Sequence, residues 1–294
     1  MTALDHPFDW HFDLFWTLAI PALVAAYLVA TRKGDCEASR RQRVFFMSGV
    51  VALLVAVMWP LGDLAAHWSL LALVLQRLLL ILAVPPLLVT GTPRPIIVRL
   101  TRPAAVDAVL RVIVKPVPAV GIVTVVAVGT LTTAVVSLAA HSDVARVAIQ
   151  IVVLLSGFVL WAPVLTELPG AQPLSAFGRG GYLIVQSIVP SFLSVIWIFA
   201  RRSLYASYDH HGTVLGMSPV LDQQLAGFLA KLCTIAVLWT VAFTLMTRSQ
   251  VAAEVGDDTE PLMWSDVERE IERAERREQR GRRPHAPPGD PPAR

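Results

Sequence analysis

The stretch Leu70 to Pro95, LLALVLQRLLLILAVPPLLVTGTPRP, restricts the fold more than any other part of the chain. It is apolar over the ~20 residues that a helix needs to cross a bilayer. Yet it carries Gln76 and Arg77 inside one end and a double proline, Pro85-Pro86, near the other. An arginine within a span is costly against lipid and faces a protein interior or a water-filled cavity. A chain built around this segment must therefore supply other helices to shelter the charge.

Those helices are visible as apolar runs. Counting the Leu70 to Thr90 run as the third, the seven spans are Phe12 to Thr31, Val44 to Pro60, Leu70 to Thr90, Ala119 to Ala140, Val144 to Leu165, Tyr182 to Ala200 and Leu225 to Met246. With 55% hydrophobic and 16% charged residues in 294, the chain is too apolar for a soluble globule. In lipid the backbone polar groups must be satisfied within each segment, which selects helices. The expected class is all-α: a polytopic membrane protein with a seven-transmembrane-helix bundle over residues 1–247. A charged, proline-rich tail follows over 248–294, partly helical or disordered. The opening MTALDHPFDWHFD has no positive n-region, so the first span is expected to be retained rather than cleaved. Cys36 and Cys233, in a basic loop and in a span, do not form a disulfide framework. No nucleic-acid motif accompanies the net charge of +3; the basic residues flank apolar runs, and the partner they imply is the lipid bilayer.

Lysine and arginine placement gives the orientation. Five lie in the loop Arg32 to Arg43, five between Gly91 and Pro118 and nine after Met246, whereas the N-terminus and the Leu61 to Ser69 loop have none. The positive-inside rule puts the N-terminus outside and the C-terminus in the cytoplasm. Arg201 and Arg202 run against this count at the end of span six. Between spans three and four, AAVDAVLRVIVK reads either as an amphipathic helix on the inner leaflet or as a plain loop helix.

Several polar side chains enter the spans from the same side. Gln76 and Arg77 do so in span three, and Arg146 and Gln150 share a face of span five at i, i+4. In span seven, Asp222, Gln223 and Gln224 stand at the mouth and Lys231 lies deeper. We expect them to form one polar pocket, with Asp222 the nearest carboxylate for its cations, because clustering shares acceptors among groups too costly to leave in lipid. Pairing that merely holds the bundle would use the same residues. Of the histidines, His67, His141, His210 and His211 fall outside in this topology and are the candidate metal ligands; solvated loop histidines are the plainer reading, since no CxxC or HExxH spacing is present.

Three runs carry a family resemblance: Pro85-Pro86-Leu87-Leu88-Val89 with Gly91 and Pro93; Gly157-Phe158-Val159-Leu160-Trp161-Ala162-Pro163; and Asp222-Gln223-Gln224-Leu225-Ala226-Gly227 preceded by Tyr205-Ala206-Ser207-Tyr208. Together, over roughly residues 10 to 247, they resemble the CtaG-type cytochrome c oxidase assembly proteins. That resemblance implies a multi-pass protein of the bacterial plasma membrane, not an enzyme. It would assist copper insertion or maturation, with haem-copper oxidase subunits as partners and copper as the possible metal. Family members often carry histidines in span three ahead of the double proline and near the start of span five. Aligned on Pro85 and Gly157, those positions hold Leu73 and Arg77, and Arg146 and Gln150; a Met-Trp pair common after the span-seven motif is replaced by Ala230-Lys231. A guanidinium cannot donate an electron pair to a metal. A metal-free membrane scaffold is therefore the alternative, and a small-solute transporter with broken helices at Pro85-Pro86 and Pro190 a further one.

Overall fold

Helix starts in this chain are set by side-chain oxygens that accept from otherwise unpaired N–H groups. Asp13 caps α1 (Leu14–Ala30) through Trp16 N, and Ser39 with Gln42 forms a reciprocal capping box on α2 (Arg40–Val57). After α2 the chain turns through a short helix, α3 (Leu61–Trp68), bent 47° from it, whose second half is a π-helical turn. Ser69 then caps α4 (Leu70–Gly91), which contains its own π-helical turn at Leu79–Ala83. The remaining helices are α5 (Arg94–Thr101), α6 (Ala104–Ile113), α7 (Pro116–Gly129), α8 (Thr133–His141), α9 (Asp143–Trp161), α10 (Ala176–Ile188), α11 (Ser191–Phe199), α12 (Ala206–Asp209) and α13 (Pro219–Asp257). This computed structural model describes residues 13–32, 36–113, 115–165, 174–188, 191–209 and 216–257, and contains no strand among them. Contacts divide the chain into Met1–Met246 and Thr247–Arg294.

The architecture is an all-helical membrane bundle. Among the described residues four helical stretches are long and apolar enough to cross a membrane: Leu70–Gly91, Asp143–Trp161, Ala176–Phe199 and Pro219–Val251. Six result if the bent pairs Arg40–Val57 with Leu61–Trp68 and Ala104–Ile113 with Pro116–Gly129 each count as one, and α1 is apolar over 17 residues.

The seven continuous spans expected are not seen as such among the described residues, and one of the expected runs is divided. The run Ala119 to Ala140 is not continuous but divides at Thr130–Thr132 into α7 and α8. The hydroxyls of Thr130 and Thr132 donate to the carbonyls of Val126 and Gly129 at 2.8 Å each, and Tyr205 Oη donates to Leu131 O at 2.6 Å. Val126 O and Gly129 O also accept from the Thr130 and Thr132 N–H groups at 3.0 and 3.3 Å, and Leu131 O, which a continuing helix would pair with an amide, is met by the tyrosine hydroxyl, so the break is tolerated inside an apolar stretch. The segment after α4 is also helical: α6 buries none of its residues, Arg111 pairs with Asp107 at 2.7 Å, and α7 leaves it at 92°. The acidic and basic tail run falls outside the described residues from 258 on.

Close helix approach shapes the core where the double proline lies. Pro85 has no N–H for the carbonyl of Ile81 four residues back, and Trp161 Nε1 of α9 donates to that oxygen at 3.0 Å. One turn earlier on α9, Gly157 brings its backbone so near that a Cβ there would lie 2.8 Å from Leu80 O and 2.7 Å from Pro85 Cγ. On the other flank, Tyr27 Oη donates to Gly91 O at 2.9 Å and its ring stacks on Phe46 at 3.6 Å, with Gly91 packed against the Phe46 backbone. The break in α4 is thus clamped by α1, α2 and α9.

Candidate functional site

The polar residues of α4 and α9 meet. Gln76, Arg77, Arg146 and Gln150 line one cavity of about 10 Å³, closed by α3, α8 and Tyr208; this is room for a single water. Three of the four are committed to protein partners. Gln76 Nε2 donates to Ala56 O at 2.8 Å, an acceptor at the end of α2 that Pro60, four residues on, cannot satisfy. Gln150 Oε1 accepts from Trp16 Nε1 at 2.6 Å, tying α9 to α1. Arg146 Nη1 lies 2.9 Å from Asp143 Oδ1, off a hydrogen-bonding line, and Nη2 lies 3.9 Å from Asp13, so these contacts are ionic rather than directed.

Arg77 is different. It is 6% exposed, about 10 Å along α4 from Leu70, and its Nε and Nη1 are buried with no protein acceptor among the described residues. Its neighbour Tyr208 donates to Ala65 O at 2.8 Å. Burial pushes the Tyr208 phenol well above its ordinary range, against the pull of the nearby Arg77 charge, so it stays a neutral donor and is no counterion.

Asp222 serves another purpose than the one expected of it. It is not the carboxylate of these cations: its Oδ1 accepts from Ser69 Oγ at 2.6 Å, and its Oδ2 from the N–H groups of Leu70 at 2.7 Å and Leu71 at 3.3 Å. The unpaired amides and positive end of a helix N-terminus are a strong sink for a buried carboxylate. α13 thereby caps α4 from outside. Gln223 Oε1 accepts from Leu204 N at 2.9 Å and Gln224 Nε2 donates to Ala200 O at 3.1 Å, which fixes the chain leaving α11. Gly227 lets α13 approach α11 until a Cβ would be 2.8 Å from Ser194 O. Lys231 is half-buried and lines neither this cavity nor the one beside it.

That second cavity, about 90 Å³, lies on the other side of Arg77 and also takes in Gln186 and Ser194. Gln186 escaped the sequence reading although it is a lone amide in an otherwise apolar run, which was its signal; Trp16 and Ser69 carried none.

Of the candidate histidines, two are described. His67 sits in the π-helical turn of α3, and His141 ends α8 with Nδ1 2.7 Å from Ser137 O. His210 and His211 lie outside the described residues. Among the described residues no three His, Cys, Asp or Glu side chains are placed to hold a metal ion. The cavity between α4 and α9 does not suit copper: its charged groups are guanidiniums, which offer protons and no lone pair.

A family model described as cytochrome c oxidase caa3 assembly factor, Caa3_CtaG, matches residues 23–250. The chain belongs to this family. The match runs from α1 into α13 and includes all three runs on which the resemblance rests. In the structure those runs are joints: Gly157 and Trp161 receive the proline break, Asp222 caps α4, and Gly227 seats α13 on α11. No curated protein and no solved structure matches the chain. The family is one of cytochrome c oxidase caa3 assembly factors.

Proposed function

We propose that this chain assists maturation of a haem-copper oxidase in the bacterial plasma membrane as a seven-span partner protein, N-terminus outside, without a tight copper site between α4 and α9. α1, α2 and the α7–α8 pair supply the three spans beyond the four long ones. The observation that carries the reading is that Arg77 and Arg146 line one cavity at the positions where the family resemblance implies histidines. Two fixed positive charges in a low-dielectric site repel a third. Copper insertion then falls to the partner oxidase or to the candidate ligands His67, His141, His210 and His211.

Deleting the gene is expected to lower cytochrome c oxidase activity of the membranes, while purified tag-free protein carries copper well below one per chain. Arg77→Ala should impair oxidase assembly more than His210→Ala and leave metal content unchanged. Stoichiometric copper that disappears on changing His67, His141, His210 or His211 would establish a copper chaperone instead.

The orientation has its own test. In a background lacking Cys36 and Cys233, Trp59→Cys should react with an impermeant thiol reagent on intact cells, and Arg41→Cys only after lysis. The reverse pattern inverts the topology.

A further inference from the structure

The larger cavity beside Arg77 presents two polar side chains that the protein leaves unmatched. Gln186 is 1% exposed, and neither its Oε1 nor its Nε2 has a partner among the described residues; Arg77 contributes the buried Nε and Nη1. Both line the same space of about 90 Å³. Beyond them the wall is mostly hydrocarbon, with Leu78, Leu82, Val123 and Leu238 extending it away from the charge. A guanidinium keeps its proton here, and leaving it and a primary amide unmatched in an apolar surrounding is costly. The arrangement asks for an anionic oxygen group at one end and hydrocarbon at the other.

We propose that this cavity binds a carboxylate carried on an aliphatic chain, its acid group between Arg77 and Gln186 and its carbons along Leu78, Leu82 and Leu238. One positive charge matches a monoanion, whereas a phosphate would bring in a second negative charge with no cation to meet it. The volume holds several waters' worth of ligand, the acid group and its first few carbons. The acid can come from a free short-chain carboxylate or from the head of a longer amphiphile. Arg146 is not among the residues lining this site, which is independent of the oxidase reading.

The test uses the full chain in nanodiscs of zwitterionic lipid, titrated with carboxyl-labelled hexanoate and with decanoate. Saturable binding of one acid per chain is expected. Arg77→Gln should weaken it about tenfold or more, and Gln186→Leu, a swap that keeps an apolar span foldable, severalfold. Hexanoate binding without decanoate identifies the free acid as the source; tighter decanoate identifies an amphiphile. Methyl hexanoate should not compete. No saturable binding of either acid to the folded chain, unchanged affinity in folded Gln186→Leu, competition by the methyl ester equal to that of hexanoate, or displacement by equimolar chloride would each overturn the proposal.

Discussion

Asp222→Ala is expected to destabilise the bundle by about 3 kcal/mol, because one truncation removes three charge-assisted bonds to the start of α4. The loss is larger than for an ordinary cap: Ser69 would be left without its acceptor, and the Leu70 and Leu71 amides would be bare beside the apolar core. Asp222→Asn keeps one acceptor oxygen and should retain part of the stability. Ser69→Ala should cost about 1 kcal/mol, since the carboxylate remains on Leu70. Unfolding in nanodiscs, followed by steric trapping, separates the three variants. A change below about 0.5 kcal/mol for Asp222→Ala would show that water replaces the carboxylate at no cost.

That role explains what was legible in the sequence and what was not. The i, i+4 pairing of Arg146 with Gln150 and the isolation of Gln76-Arg77 in an apolar run give the faces of α9 and α4, because helical periodicity is local. Asp222 could be seen to stand at a helix mouth, but its partners are 151 to 153 residues away and are one serine hydroxyl and two backbone amides, the latter a group that every residue except proline possesses. The division of Ala119 to Ala140 was hidden for a related reason. Threonine and glycine are ordinary in membrane helices, and the docking of Tyr205 on Leu131, 74 residues away, is a contact that local periodicity does not show. Lys231 illustrates the limit from the other side: it enters the span with the polar residues at its mouth, yet α13 meets the larger cavity through Ala230, Thr234 and Leu238 and not through the lysine.

The second large effect is expected at Gly157. Gly157→Val should cost about 3 kcal/mol and sharply lower the yield of folded protein, since the new side chain meets the Leu80 carbonyl, the Ile81 backbone and the Pro85 ring, none of which can rotate away. Trp161→Phe probes the same joint without added volume. It leaves the ring but removes the indole N–H, so the Ile81 carbonyl remains unpaired in the apolar interior at about 1–3 kcal/mol. Wild-type unfolding in both variants would mean that the break in α4 is held by the clamps at Gly91 and Phe46 alone.

The π-helical turn at Leu79–Ala83 also makes α4 behave as two rods joined out of phase. Val84 N–H bonds to Leu79 O, five residues back, so this turn holds one residue more than an α-helical turn. Each residue advances an α-helix by about 100°, so the insertion rotates everything from Val84 onward relative to everything before Leu79 by that amount. Eight residues apart, Arg77 and Pro85 would diverge by about 80° on a regular helix; with the extra residue they come back close to one line. Removing a single residue from Leu79–Ala83 would leave a regular helix with Arg77 and Pro85 seven residues apart, about 20° short of two full turns, so their facing would be kept; winding all eight residues as a regular helix would instead swing the guanidinium by about 100° relative to the prolines. The separation between cation and double proline is therefore an angular quantity as much as a length: the π-turn lets eight residues present the two on the side where seven residues of regular helix would.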